Sequence, residues 1–538
     1  MTERRTLLRA LAATPLAALP FADALAQAPG SGGTLRIAMT TADVPLSAGM
    51  PNQGSEGMRF LGYPCFEPLV AWDLSRTDRL PTLMPGLATA WSVDAADRTL
   101  WTFTLREGVT FHDGTPFDAD AVAWTLGRFF DESAPQYDRS TAGFVRTRVP
   151  TVASWEKRGT HSIAIRTRFP ASYFPSQLTW LLISSPAAFA RAGNDWAATA
   201  RAPAGTGPFR LTRLVPRERA ELERNDAYWD RARLPGVARI VLIPVPDAAA
   251  RIAALRSGQV DWIETPPPDA VPGLASAGFQ VVSNTYPHVW PYYFKTTPDS
   301  PFADVRVRLA ANYAVDREAV ASLFNGTAEP AVGYWPAGSA VFGAPKNRFT
   351  YDVARARALL AEAGYGGGRR VAATIMISPS GGGQMLPLPM NELMQQQMAP
   401  AGFDLRFEVI EFNAMLTAWR QAPDQGANRT VHAMNQASTT WDHALLWRWF
   451  HSRNVTPQGV NWGHYRSPAL DAALDALEGD FSGAPLEPAL ARIHETLVDE
   501  APWLYVVHDR QARAFSRRVT GYLPAQSWFT DLTRISMT

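Results

Sequence analysis

An alternation of apolar and polar residues around position 100 gives the clearest structural signal in the chain. The apolar positions are Trp101, Phe103 and Leu105, and the polar ones are Thr102, Thr104 and Arg106. A period of two is typical of a strand with one buried face. The next segment, 111–117, reads Phe-His-Asp-Gly-Thr-Pro-Phe and has the glycine and proline of a tight turn. Asp118 then precedes apolar residues at helical spacing, so the pattern predicts a strand, a turn and a capped helix.

Apolar runs and capped helices also alternate further along the chain. Residues 240–243, Ile-Val-Leu-Ile, predict a buried strand, and 260–263 predict another. Between them Asp247 can cap a helix that ends at Gly258. This strand–helix–strand succession indicates a predominantly α/β fold. Further capped helices are predicted to begin at Asp316, Asp352 and Ser467.

The first 28 residues have the basic, apolar and cleavage regions of a secretory signal. Arg4 and Arg5 suggest the twin-arginine route, but Glu3 stands where that motif has a small hydroxyl residue. The general secretory route therefore stays open. The only cysteine, Cys65, lies far from any lipoprotein cleavage site. We expect cleavage after residue 26 or 28 and a soluble, periplasmic mature protein.

Composition restricts the class of function more than it defines one. The 538 residues are enough for two to four domains, and a single cysteine excludes internal disulfides and cysteine-based metal clusters. The formal net charge of +1 gives no general attraction to nucleic acid or anionic membrane. No Gly-x-Ser-x-Gly or His-Glu-x-x-His motif is present, which argues against a secreted hydrolase.

Several motifs occur together in one order along the chain. The strand–turn–helix segment 83–129 is followed by Gly-Thr-Gly-Pro-Phe at 205–209 and by Arg-Asn-Asp-Ala-Tyr-Trp at 224–229. A Val-Arg pair at 305–306 and an Asp-Arg pair at 316–317 come next. This set resembles the extracytoplasmic solute-binding proteins of the peptide/nickel class, the receptors of bacterial ABC importers. The resemblance covers nearly the whole mature chain.

The resemblance implies an α/β fold of two lobes joined by a hinge, with a discontinuous first lobe and an inserted subdomain. The implied first lobe comprises 34–61, 185–284 and 501–538. The insert spans 62–184, and the second lobe spans 285–500. The implied protein is a monomeric receptor with no cofactor, and it delivers small peptides to a permease and ATPase subunits in the inner membrane.

The resemblance also places the ligand in a cleft between the lobes and singles out Asp442. In peptide-binding relatives a segment similar to 438–444 supplies an aspartate that pairs with the α-ammonium of the ligand. Asp442 matches that position, with Trp441 and His443 beside it, although His443 replaces the usual tyrosine. A buried ammonium without a partner is costly, which favours an acidic group there. Capping of the following helix is the alternative role for Asp442, and the sequence does not decide between them.

Other cleft candidates follow from position in the chain. Asn52 and Gln53 lie in the polar loop after the first strand, which faces the cleft in relatives. Trp290 and Tyr292 flank the implied lobe crossing, where aromatic rings could stack on a ligand or pack in the core. Three arginines could receive a ligand carboxylate by a bidentate contact, and nothing in the sequence selects among them. They are Arg420, Arg429 and Arg448.

Alternatives to peptide binding stay open within the same fold. Oligosaccharide binding is suggested by the 18 tryptophans, since sugars stack on aromatic rings. Opine and metal-chelate receptors also occur in the family, and a receptor that signals without transport is a further alternative. Four histidines lie close together in the chain, at His432, His443, His451 and His464. No pair among them has the i, i+4 spacing of a helical metal site, so we expect no metal.

Overall fold

Two seven-stranded sheets organise the protein. A computed structural model describes residues 32–46, 48–51, 54–380, 384–440 and 442–538. The secretory signal predicted at 1–28, with Arg4 and Arg5, lies outside these described residues. Within the described part no helix combines the length and the apolar character needed to cross a membrane.

The first sheet is built around the strand Thr34–Met39, which is buried at its centre and runs parallel to both of its neighbours. Those neighbours are the two strands predicted at 240–243 and 260–263. The Asp247 carboxylate accepts a hydrogen bond from the Ala250 N–H and so caps the connecting helix Ala248–Arg256, as predicted. In spatial order the strands are Gln280–Val282, Arg513–Phe515, Trp262–Glu264, Thr34–Met39, Arg239–Pro244, Arg219–Arg224 and Phe209–Val215.

The second sheet is centred on the strand His288–Phe294, in which every residue is buried. It pairs antiparallel with Trp503–Asp509 on one side and with Ala433–Asn435 and Ser438–Thr439 on the other. In spatial order the other strands are Ala328–Pro330, Trp503–Asp509, then, beyond His288–Phe294, Ala433–Asn435, Val371–Ile377 and Phe403–Val409.

A separate antiparallel sheet of four strands lies within the insert. Its strands, in spatial order, are Ala88–Val93, Leu100–Leu105, Ser162–Thr167 and Val152–Gly159. Trp101, Phe103 and Leu105 are buried, as the alternation predicts. Asp118 accepts hydrogen bonds from the N–H groups of Asp120 and Ala121 and caps the helix Ala119–Phe130.

The turn before that helix is structural. The His112 ring Nε2 lies 2.9 Å from the Gly207 carbonyl oxygen, and Asp113 accepts hydrogen bonds from Thr115 and Ser185. Burial lowers the pKa of His112 to about 4, so the ring is neutral at pH 7.

Short pairings and helices complete the described chain. Val70–Trp72 pairs with Leu83–Pro85, and Val519–Thr520 pairs with Ser536–Met537. The longer helices not yet mentioned are Arg139–Arg148, Val305–Tyr313, Val353–Glu362, Pro387–Met398, Phe412–Trp419, Pro468–Glu478 and Glu487–Glu500. The short helical segments are Gly54–Gly57, Met58–Gly62, Tyr63–Cys65, Phe174–Gln177, Leu178–Trp180, Pro186–Arg191, Trp196–Thr199, Arg231–Arg233, Pro268–Ala270, Val271–Ser276, Pro301–Ala303, Arg317–Ser322, Ala399–Ala401, Gly426–Arg429, Leu445–Phe450, Ser452–Asn454 and Leu532–Arg534.

The chain crosses between the two large sheets twice, at 283–287 and at 510–512. The sequence-based boundary at 501 places the second crossing too early. The strand Trp503–Asp509 pairs with His288–Phe294 and Ala328–Pro330, so it belongs to the second sheet. The first sheet resumes only at Arg513–Phe515. Apolar periodicity predicts that a strand exists there but cannot tell which sheet it joins. The other lobe boundaries stay predictions.

Candidate ligand-binding cavity

A cavity of about 630 Å³ lies between the insert and the second lobe. This volume is in the range of small-molecule binding sites. The insert contributes one wall, from 146–150 and 169–180, and the second lobe contributes the other, from 442–448 and 453–460, together with Arg420. The charged and aromatic lining residues include Arg146, Arg148, Tyr173, Trp180, Arg420, Asp442, Trp447, Arg448 and Arg453.

Several contacts hold the two walls against each other. The Tyr173 hydroxyl donates a hydrogen bond to the Glu478 carboxylate at 2.7 Å, and the Ser172 N–H donates to the Glu478 carbonyl at 2.9 Å. The Tyr173 ring also packs on Trp447, with the ring centroids 4.6 Å apart. Insert and second lobe therefore meet along one edge of the cavity.

Asp442 lies in the wall of this cavity and is only 5% exposed. Its Oδ1 accepts a hydrogen bond from the Ala444 N–H at 2.9 Å, at the start of the helix Leu445–Phe450. Its Oδ2 accepts one from the Ser176 hydroxyl of the insert at 3.1 Å. Ala444 is the N-cap residue of that helix and the helix has no side-chain capping hydrogen bond, so the Asp442 contact is a local turn contact that holds the carboxylate next to the cavity. Each carboxylate oxygen has further lone pairs, so these contacts leave acceptor capacity for a ligand.

The structure separates the three candidate arginines. Arg420 and Arg448 line the cavity, whereas Arg429 is absent from its lining and donates a hydrogen bond to the Asp424 carbonyl at 2.8 Å. The structure adds Arg148, which the sequence analysis did not select. Arg148 ends the helix Arg139–Arg148, and no local pattern marks a helix-terminal arginine as facing another lobe.

The aromatic candidates lie elsewhere. Trp290 packs against Phe324 at 5.1 Å between ring centroids, and the Tyr292 hydroxyl donates to the Asn391 side chain at 2.5 Å. Both rings are in the buried core of the second lobe and do not line the cavity. Among the described residues, the tryptophans that line it are Trp180 and Trp447.

The candidate His443 follows Asp442 directly in the chain. His443 is partly exposed, does not line the cavity, and has its Nδ1 3.9 Å from Asp442. Burial lowers the pKa of His443, while the Asp442 charge opposes that shift. Asn52, Gln53 and Trp441 lie outside the described residues.

The histidines that are close in sequence have separate partners. His432 accepts a hydrogen bond from the Thr374 N–H, His451 contacts Asp475, and His464 contacts the Thr456 hydroxyl. Over the described ranges, no group of three or more His, Cys, Asp or Glu side chains is arranged to hold a metal ion.

A second cavity, of about 390 Å³, lies between the insert and the first lobe, beside Glu67. The Glu67 carboxylate accepts hydrogen bonds from the Tyr228 hydroxyl, the Trp229 indole N–H and the Thr206 hydroxyl. Burial is the main influence on Glu67 and raises its pKa, so the three donors serve to satisfy a buried acid. The interlobe cavity is therefore the better candidate for a ligand.

Two α/β lobes joined by two crossing segments, with a cavity of small-molecule size between the second lobe and the insert of the first, define the class of two-lobed solute receptors. The family model described as bacterial extracellular solute-binding proteins, family 5 Middle, matches residues 82–457. The chain belongs to this family, as the resemblance of its motifs predicts.

Curated relatives and a solved structure cover most of the chain. The glutathione-binding protein GsiB of Salmonella paratyphi A is 27% identical over 447 residues, 81% of this chain and 82% of that protein. The probable di/tripeptide-binding protein 5 of Pseudomonas aeruginosa is 26% identical and covers 85% of this chain and 87% of its own length. The periplasmic binding protein DppA of Helicobacter pylori, solved with the peptide STSA, superposes with a TM-score of 0.76 at 21% identity and covers 94% of this chain and 98% of its own.

Proposed function

We propose that this protein is the periplasmic receptor of an ABC importer and captures a small peptide or peptide-like solute in the interlobe cavity. Family membership supports the receptor role, and the similarity to glutathione-binding and probable di/tripeptide-binding proteins supports a peptide-like solute. In this role the solute is bound and released unchanged, and the protein is not an enzyme. The receptor delivers it to a permease with ATPase subunits.

The observation that carries this proposal is the chemistry of the cavity wall. One buried carboxylate, Asp442, lies beside arginines that reach the cavity from both sides. A peptide has an ammonium group for the carboxylate and a terminal carboxylate for an arginine, and both contacts would be charge-assisted. Trp180 and Trp447 could stack on a sugar, but the arginines favour a charged solute over a neutral oligosaccharide.

The test is the substitution Asp442→Asn, measured by calorimetric titration of the mature protein with small peptides. Asparagine keeps the shape and can still accept the Ala444 N–H, so the melting temperature of the ligand-free protein should change little. Loss of the charge partner of a buried ammonium costs about 2–5 kcal/mol, so peptide affinity should fall by roughly 30-fold or more. Acetylation of the peptide amino terminus should weaken binding to the wild type by a similar factor and make little further difference in the variant.

A matched control is available in the same lobe. Asp352 caps the helix Val353–Glu362 through the Arg355 N–H and does not line the cavity. Asp352→Asn should leave peptide affinity unchanged. Equal binding of free and acetylated peptides to the wild type would reject the pairing of Asp442 with an ammonium. Recovery of a cleaved peptide would reject the receptor role.

A further inference from the structure

The charges that line the interlobe cavity do not balance. Five arginines line it, and among the described lining residues Asp442 is the only carboxylate. Arg146 is paired with Glu132 at 2.9 Å. Arg453 is paired with Glu478 at 2.6 Å. The other three arginines have no carboxylate within ion-pair distance in the part of the chain that the structure describes, and they are Arg148, Arg420 and Arg448.

Arg148 and Arg448 come from opposite walls and are held in place by aromatic rings. The Arg148 guanidinium lies 4.7 Å from the centroid of the Trp180 ring in the insert. The Arg448 guanidinium lies 5.3 Å from the Trp449 ring and 5.8 Å from the Trp419 ring in the second lobe. Stacking on rings orients a guanidinium and leaves its N–H edge free for a planar anion.

The surroundings of these two guanidinium groups disfavour their positive charge. The Nε of Arg148 is buried and, among described residues, has no hydrogen-bond partner. Burial lowers the pKa of Arg148, and the charge of Arg448 lowers it further. Burial also lowers the pKa of Arg448 to about 10, with a further lowering contribution from Arg420. Like charges thus face each other across the cavity.

We infer that the solute carries two carboxylates and one ammonium, as a small acidic peptide does, and that Arg148 and Arg448 each receive one carboxylate. This inference rests on the proposed function and names the substrate class of the same cavity. One carboxylate belongs to the peptide terminus and the other to an acidic side chain. Because the arginines lie on opposite walls, a ligand with both groups removes the repulsion between the insert and the second lobe. A neutral dipeptide would neutralise only one of them.

Matched peptide pairs test this inference by calorimetric titration of the mature protein. Ala-Glu and Ala-Gln have nearly the same shape and differ by one charge, and Ala-Ala-Glu and Ala-Ala-Gln repeat the comparison at tripeptide length. We expect the wild type to bind the acidic member about tenfold or more tightly, because a charge-assisted bidentate contact is lost with glutamine. Added salt should reduce this ratio.

Substitutions then show which arginine receives the side-chain carboxylate and which receives the terminal carboxylate. Arg148→Met and Arg448→Met keep much of the aliphatic stem and remove the charge. One of them should abolish the preference for the acidic peptide, and the other should weaken both members of a pair by a similar factor. Arg429→Met, an arginine of the same lobe outside the cavity, should change neither affinity nor ratio.

The outcomes separate this inference from the proposed function. Equal binding of acidic and neutral peptides by the wild type would reject the inference and leave the peptide receptor standing. A preference that survives both arginine substitutions would also reject it. If none of the four peptides binds, the proposed function fails, and the inference fails with it.

Discussion

In two regions of this protein arginines are removed from solvent, fully in one and partly in the other, and the regions differ in the source of the negative charge. Beside the second crossing, Arg59 and Arg513 both contact the buried carboxylate of Glu264, and we call these three residues the Glu264 cluster. Arg59 also donates hydrogen bonds to the Tyr286 hydroxyl at 2.6 Å and to the Trp528 carbonyl at 2.8 Å. In the interlobe cavity, Arg148 and Arg448 have no such carboxylate among the described residues.

The pKa directions follow this difference. Burial alone would raise the pKa of Glu264. The charges of Arg513 and Arg59 lower it by more than burial raises it, so the pKa lies below its ordinary value. The pKa of Arg513 is raised, mainly because the attraction of Glu264 outweighs its burial. In the cavity the pKa values of both arginines are lowered. The comparison teaches that charge neutralised by the chain itself serves the fold, whereas charge left without a partner is available to a ligand.

The largest expected effect is on stability, from Glu264→Gln. This substitution leaves two buried guanidinium groups without their carboxylate, and breaking a buried pair in this way costs about 3–5 kcal/mol. The free energy of unfolding, from urea titration of the mature protein, should fall by that amount.

Glu223→Gln is the matched control for this measurement. Glu223 pairs with Arg210 at 3.6 Å with both side chains about half exposed, and exposed pairs contribute about 0–1 kcal/mol. A loss from Glu264→Gln as small as that from Glu223→Gln would show that the Glu264 cluster is not a stabilising element.

An intermediate effect is expected from pH. The folded-state pKa of Glu264 lies below its ordinary value of about 4.5, so its contribution to stability is complete above that pH. The contribution is lost as the pH falls through the folded-state pKa. Urea titrations at pH 7, 5 and 3.5 should therefore show a difference between wild type and Glu264→Gln that is constant from pH 7 to 5 and smaller at 3.5. A difference that grows toward low pH would contradict the lowered pKa.

The smallest effect on stability is expected in the cavity. Arg148→Met and Arg448→Met remove charges that repel each other and that have no carboxylate partner within the described ranges, so the ligand-free protein should lose less than about 1 kcal/mol or gain stability. The measurement needs protein unfolded and refolded to remove any retained solute. A loss of several kcal/mol from either variant would mean that the arginine has a structural partner, and the contrast with the Glu264 cluster would disappear.

Local structure was the part that the sequence determined by itself. The strand at Leu100–Leu105 and the helix caps at Asp118 and Asp247 were predicted correctly, because their signals depend on neighbours within a few residues. A capping carboxylate accepts from N–H groups two or three positions ahead, whatever surrounds it. The order of such motifs was also enough to predict the two-lobed fold and the family.

Only the tertiary structure decided which side chains meet. The strand His288–Phe294 is buried throughout, so alternation carries no information about which of its residues reach a ligand, and Trp290 and Tyr292 lie in the core. The sheet joined by Trp503–Asp509 depends on hydrogen bonds to distant strands. Arg148 and Arg448 face one cavity because the insert and the second lobe pack together. Charge balance in a cavity is a property of residues far apart in the chain, and no local pattern records it.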